Sequence, residues 1–496
     1  MTPALTRAPS CARCRNHNSI FQLKTLAGFA VKPCVQTLLL AAVAGLLATG
    51  CKTYQEQNRV IQHWQRGDLT NAVVEATKMA DKKANGKDAI IWRLEQGAVL
   101  RANGQYEDSN KAFDTAQEKI DDYAQKAKVR LGQETGALLS NQAELDYEGR
   151  AYDGIMLNTY KALNYLALGE PDKARPELIR AYQRQQDAVQ DNQKRIEKVQ
   201  DEAAKNKDSA AIQKAQNDPA LQAQIQNSST NLDNLKPYAA YVNPFTVYLD
   251  GLFFMTDAAD SSDLERAHKS FLRVMEMAPD NNYVGEDLAM VNGLINGRPL
   301  PPTTFVIFET GCAPVRDQVR ISIPIIVTKV SYIGAAFPTL KPQGNYIPRL
   351  TVTADGKSVD TALVSDMDSV IGLDFKNEMP IVITKTIAAT VVKGVAAYAA
   401  NQAAGQQNDW AGLFMQIGTA IYQAAVNIAD ERTWTTLPKQ FQVCHFPTPP
   451  DRKIELVTPG ERQIMPVTIG DGTINLVYVK SINATSPLLV TQMKLK

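Results

Sequence analysis

The sequence predicts an α+β, multidomain chain: an all-α helical solenoid carrying a long helical-hairpin insertion, then a β-rich domain bearing two packed Ala-rich helices. Three observations predict it. Apolar residues recur at three and four from Tyr54 to about Asn292, and the pattern repeats. The period breaks at Gly297-Arg-Pro-Leu-Pro-Pro302. Beyond that break come short β-branched runs separated by turn signals.

Residues 1–50 have the layout of a signal peptide. Arg13, Arg15, Lys24 and Lys32 precede a nearly uncharged run from Val35 to Gly50, too short for the ~20 residues of a bilayer span. Ala48, Thr49 and Gly50 lead into Cys51, which looks like a bacterial lipobox. Cleavage then falls between Gly50 and Cys51, and the Cys51 thiol is the lipidation site. Lys52 follows where inner-membrane retention would use Asp, so the expected location is the outer membrane, lipid-anchored, on the periplasmic face. An uncut signal anchor with an incidental Cys51 is the alternative. Cys11-Ala-Arg-Cys14 with His17 lacks a fourth zinc ligand and lies in the removed leader. Besides the lipid site, Cys312 and Cys444 remain, and they form either a disulfide or two buried thiols.

The solenoid is expected over residues 51–296. With Gly104 as turn glycine, Gly97, Tyr106, Phe113 and Ala116 fall on tetratricopeptide (TPR) positions, small where helices touch and large between them. Three further windows fit: Gly67, Leu69 and Ala72; Ala162, Tyr165, Gly169, Ala174, Leu178 and Ala181; and Gly251, Phe254, Ala267, Phe271, Val274 and Pro279. Residues 183–236 interrupt the array. Tyr182, Val189, Ile196 and Ala203 lie seven apart, with Leu178 and Val199 between them. Leu221, Ile225, Leu232 and Leu235 form a second stripe beyond Asp218-Pro219. Two long helices folded back as a projecting arm would bury both stripes; a disordered polar insert is the alternative.

Residues 297–303 read as a Pro-rich linker and 304–496 as the β-rich domain. Strands are expected at Thr304–Glu309, Val319–Val330, Arg349–Ala354, Gln440–Phe446, Lys453–Val457 and Ile474–Ser481. A helical pair at 382–429 (382–403 and 408–429) interrupts them, with Ala388, Gly394 and Ala400 small enough for close approach. Lys385, Lys393, Asn401, Gln402 and Asn408 argue against a membrane span, leaving packing on the sheet or an oligomer contact.

Net charge is +1, and residues 1–51 hold five Lys/Arg and no acid, so the remainder carries 48 basic against 52 acidic residues. No basic excess marks a nucleic-acid partner. Four histidines (His17, His63, His268, His445) and no HExxH, GxSxG or P-loop pattern give no local support to an enzyme. No catalytic residue, cofactor or metal site is therefore assigned. Asp366, Asp368 and Asp374 are the tightest carboxylates of the β domain, and a cryptic carboxylate-based envelope enzyme using them is the second alternative. TPR arrays hold extended peptides in a concave groove. Tyr106, Tyr152, Tyr160, Tyr165, Tyr248 and Phe254 are groove candidates, each also a core candidate.

"KPYAAYVNPFTVYLDGLFF", "VIFETGCAPVRD", "GAAFPTL", "TADGKSVDTALVSDMDSVI" and "ADERTWTTLPKQFQV" resemble an uncharacterised family of proteobacterial outer-membrane lipoproteins with TPR repeats, over roughly residues 51–480. The resemblance implies relatives encoded beside lipoproteins that activate penicillin-binding proteins, hence a role in envelope assembly, and transfers no catalytic residue. The expectation is a lipid-anchored periplasmic scaffold that binds envelope proteins through its groove, in peptidoglycan synthesis or envelope assembly. A structural subunit of an oligomeric outer-membrane assembly, self-associating through the Ala-rich helices, is the first alternative.

Overall fold

Short polar caps and turn glycines cut the helical half into pieces whose apolar faces meet. The computed structural model describes residues 59–129, 142–228, 232, 235–326, 330–403 and 429–496. The first helices are α1 (59–65), α2 (Leu69–Lys82), α3 (Ala89–Ala102), α4 (Tyr106–Val129) and α5 (Ala151–Ala167). They are followed by α6 (Pro171–Lys205), α7 (Ser209–Gln216), α8 (Pro219–Asn227), α9 (Pro244–Thr256), α10 (Ser261–Met277) and α11 (Asn282–Ile295). The side chains of Asp68, Asp218, Asn243, Asp260 and Asn281 accept from first-turn amides of α2, α8, α9, α10 and α11. Pro171, Pro219 and Pro244 open helices where a missing N–H costs nothing. Gly104 turns α3 into α4 at φ +76°, a conformation that strains any side chain. Neighbouring helices pack in sequence, α2 on α3, α3 on α4, α5 on α6, α9 on α10 and α10 on α11. At the α3–α4 crossing a Cβ on Gly97 would sit 2.4 Å from the Phe113 ring.

The 183–236 segment departs from the projecting arm of two long helices. α6 runs straight through to Lys205, and the chain returns in two short helices, α7 and α8, broken at Asn217-Asp218-Pro219. The apolar stripe explains why it does not project. Val199, Ala203, Ile212, Ala215, Leu221 and Leu232 are buried, while Val189 is exposed. All but Leu232 lie in α6, α7 and α8, which pack on a long helix, α12 (Met367–Ala403), or on strand β2 (Val315–Ile326).

The strands are β1 (Thr303–Thr310), β2, β3 (Val330–Lys341), β4 (Thr351–Ala354), β5 (Lys357–Asp360) and β6 (Ala362–Asp366). After α12 come β7 (Gln440–Pro447), β8 (Lys453–Val457), β9 (Ile464–Thr468), β10 (Ile474–Ser481) and β11 (Leu489–Lys494). Five of them form a sheet of order β11-β10-β1-β7-β6, in which β1 runs parallel to β10 and antiparallel to β7. Alternate residues of these strands face opposite ways. Phe305, Ile307, Phe441, Val443, Leu476 and Tyr478 join the core under the helices. Val306, Phe308, Cys444, Phe446, Val477 and Val479 form a second core against the four-stranded sheet β5-β4-β8-β9. β1 is therefore buried along its whole length. The result is three layers: helices, central sheet, outer sheet.

α12 starts well before the expected 382, because Val370, Ile371 and Phe375 carry its buried stripe back into the acidic stretch. Pro380 does not stop it. Gly394 meets a strand hairpin rather than a helix: a Cβ there would lie 3.1 Å from Ile333 of β3. The expected second helix, 408–429, lies outside the described residues except at its last position. One core runs across Gly297–Pro302, with Phe245 of α9 stacked on Phe441 of β7 at 3.7 Å. The described residues form a single compact unit, in which the Pro-rich stretch is a connection rather than a spacer.

Candidate functional site: the helical face that holds residues 429–437

Of the aromatic groove candidates, Tyr106, Tyr152 and Tyr160 meet the C-terminal half of the chain itself. Tyr152, Tyr160, Tyr248 and Phe254 are buried, and Tyr106 and Tyr165 are half-buried. Tyr160 donates to Glu309 Oε1 of β1 at 2.9 Å, and the Tyr106 hydroxyl meets Thr491 Oγ1 of β11 at 2.7 Å. The inner face is thus filled from within rather than open.

Part of the filling is a segment, residues 429–437, which runs toward β7 without helix or strand and turns at Thr435-Thr436. Trp434 is wholly buried, edge-on to Phe113 and Tyr160 with centroids 5.8 and 5.9 Å away. Glu95 of α3 accepts from the Thr435 amide and hydroxyl at 2.6 Å each, and from the Thr436 hydroxyl at 2.7 Å. Burial lifts the Glu95 carboxyl above its usual range, and the Thr435 and Thr436 bonds oppose that rise. Arg432 reaches back to the carbonyls of Leu145 at 2.9 Å and Gln142 at 3.2 Å, and to Asp88 Oδ1 at 3.3 Å. An aromatic anchor in a pocket beside a carboxylate that takes a backbone N–H joins side-chain burial to main-chain hydrogen bonding, the two elements peptide-recognition sites combine.

Next to this segment is a buried charge hub. Arg150 Nη1 donates to both Glu378 oxygens at 2.7 and 2.6 Å, and Arg316 Nη2 of β2 donates to Glu378 Oε2 at 2.6 Å. Asp430 joins it, 3.4 Å from Arg150 Nη2 and 2.7 Å from Arg432 Nε. Burial opposes the Glu378 charge, but the two arginines more than offset it and hold the carboxyl well below the usual range. A second knot surrounds Glu309, which accepts from Tyr160, Tyr478 and Lys480, with the Arg101 guanidinium over the Tyr160 and Tyr478 rings. Burial again works against the charge, and Lys480 and Arg101 bring the carboxyl below its ordinary value.

Gly50 and Cys51 lie outside the described residues. Cys312 and Cys444 are free thiols and not a disulfide. Cys444 faces the core between the two sheets, whereas Cys312 packs at the edge of the core under the helices, 3.6 Å from the Ile482 carbonyl. Cys444 lies within β7, whereas Cys312 lies in the connection between β1 and β2. Asp366, Asp368 and Asp374 do not converge. Asp366 Oδ1 accepts from the Ser369 amide, Asp368 pairs with Lys439, and Asp374 lies further along α12 beside the arginine hub. His445 Nε2 sits 3.2 Å from Asp287 Oδ1 without the alignment of a hydrogen bond, and burial lowers the imidazole's proton affinity. Among the described residues no group of three or more His, Cys, Asp or Glu side chains is placed to hold a metal ion. Glu95, Arg150, Arg316, Glu378 and Arg432 were not legible as a site, since each reads in sequence as one charge among many. The nearest signal was "ADERTWTT", a dense run of polar residues around a lone tryptophan. No family model, curated protein or solved structure matches the chain.

Proposed function

We propose that this protein is a lipid-anchored periplasmic scaffold, held at the outer membrane by acylated Cys51, that binds other cell-envelope proteins through a TPR-type groove. Its place would be in regulation of peptidoglycan synthesis or envelope assembly. The lipobox supports the anchor. Gly97 against Phe113 and Gly251 against Phe271, with turns at Gly104 and Gly169, support the TPR-type array. The observation that carries the reading is the seat of Trp434, where α3, α4 and α5 hold a non-helical segment by an aromatic pocket and the Glu95 carboxylate. A partner segment takes this seat in exchange for residues 432–436.

Crosslinking and pull-down from membranes test the reading. Recovery of a peptidoglycan synthase or its regulator is expected, with a higher yield from Thr435→Ala, which removes one hydroxyl bond to Glu95. Self-crosslinks confined to residues 385–425 would favour the oligomeric assembly instead. Cys51→Ala should abolish palmitate labelling, and persistent labelling would remove the anchor from the proposal.

A further inference from the structure

α11 is the last helix before the strands, and its first turns fasten it to them. Asn281, its cap, donates to the Ala362 and Leu363 carbonyls at 3.2 and 3.0 Å, and the Tyr283 hydroxyl donates to the Asp360 carbonyl at 2.9 Å. One turn on, Asp287 faces β7, with Oδ1 3.2 Å from His445 Nε2 and the two side chains 0% and 4% exposed. Glu286 Oε2 stands 3.5 Å from the same nitrogen, at the solvent edge. Among the described residues, neither Asp287 oxygen nor His445 Nε2 has an aligned hydrogen-bond partner. The imidazole is the one basic group among them placed to neutralise the carboxylate.

A buried carboxylate ion without a cation is costly. One proton removes that cost, whether it sits on the carboxyl or on the imidazole, because either placement leaves the pair neutral overall. The proton belongs to the pair rather than to one residue. The groups around it come from each packed element: Glu286 and Tyr283 from α11, Tyr248 from α9, Cys444 from β7 and Asp360 from β5. His268 of α10 is taken up by Asn292 at 2.9 Å.

We propose that Asp287 and His445 form a clasp between α11 and β7, held shut by one shared proton and opened when that proton is released in mild alkali.

The electrostatics agree with the geometry. Burial pushes the Asp287 carboxyl well above the ordinary 3.8, against the Tyr248 hydroxyl, and Glu286 adds to the rise. Burial pulls the imidazole below 6.5, against Glu286 and the Tyr283 backbone. An opened clasp releases the carboxyl proton near 3.8 and the imidazole proton near 6.5. Between those values the raised carboxyl loses stability with pH while the lowered imidazole gains it, so the two offset. Each state then holds one proton. Above 6.5 the opened pair holds none and the closed pair keeps one. Closure therefore weakens as pH rises, by up to about tenfold per pH unit, until the closed pair itself lets go.

Hydrogen exchange on the full-length chain at pH 7 and pH 8.5, corrected for the intrinsic rate, tests the clasp. Protection of α11 and β7 should fall about tenfold or more in the wild type, while that of α2 stays level. The fall should vanish in Asp287→Asn, whose amide can still donate to His445 Nε2, and in Asp287→Leu, which leaves no carboxyl to titrate. Level protection in the wild type, an equal fall in α2, or a persistent fall in either variant would overturn the clasp. This outcome is independent of the scaffold reading, which stands or falls on partner recovery.

Discussion

Glu309→Gln is the sharpest test of how the helices are fastened to the sheet. Glu309 is 1% exposed and is the common acceptor for Tyr160, Tyr478 and Lys480. Glutamine keeps the shape but turns one acceptor oxygen into a donor facing a donor, and strips the negative charge from Lys480 and Arg101. Removing one partner of a buried pair typically costs about 3–5 kcal/mol, because the other charge stays buried. With a urea dependence of ~3 kcal/mol per molar for a chain of this size, the unfolding midpoint should drop by about 1–2 M. Tryptophan fluorescence reports it directly, since Lys480 Nζ lies 5.0 Å from the Trp64 ring and Trp434 packs on Tyr160. Adding Lys480→Met should recover part of the loss by removing the stranded cation. The pH dependence has a definite sign. Glu309's carboxyl is held low in the folded chain, so its contribution is full above the usual value of 4.5 and fades as pH falls below it. The variant and wild-type curves should therefore converge in acid. A loss under about 1 kcal/mol at pH 7, or no recovery from Lys480→Met, would refute the assignment of Glu309 as the fastening point.

Gly97→Ala puts a methyl group 2.4 Å from the Phe113 ring and should cost about 1–3 kcal/mol in thermal or urea unfolding. Phe113→Leu in that background should cost less than Phe113→Leu alone, because the smaller side chain makes room. Cys312 and Cys444 should both alkylate once the chain is unfolded without reductant, and mass spectrometry should find no Cys312–Cys444 crosslinked peptide.

The helical half was largely legible because its signals are local. Gly104 and Gly97 do in space what their spacing in sequence requires, one a turn and the other a contact. The strands were legible where apolar runs are long, as at Thr303–Thr310 and Ile474–Ser481. β5, with burial exposed or partial at every position, carries no apolar pattern, and β9 has one buried residue. The expected strand Val319–Val330 spans parts of two strands: β2 ends at Ile326, and β3, paired antiparallel to it, begins at Val330. The candidate site was hardly legible at all. Glu95 meets Thr435 and Arg150 meets Glu378 across more than two hundred residues, and no local pattern announces a partner so far away. Of the α6 stripe, Leu178, Val199 and Ala203 are buried but Val189 is exposed. The expected partner was a long returning helix, whereas α6 also packs on α12, whose start the acidic stretch ahead of residue 382 disguised.

The parallel pairing of β1 with β10 puts a clock on the assembly of the sheet. β1 is made early, yet one of its two neighbours is Ile474–Ser481, and its other neighbour, β7, begins only at Gln440. Until both have emerged, a strand destined to be buried at every position stands with two open edges, which is the condition that invites pairing with other chains. A ribosome or an export channel delivers the strand pair in the wrong order for immediate closure. The helices made before β1 are already in place to shield it in the interval. The inner aromatic face, with Tyr160 waiting for Glu309, would then serve as the chain's own holding site before it serves as anything else.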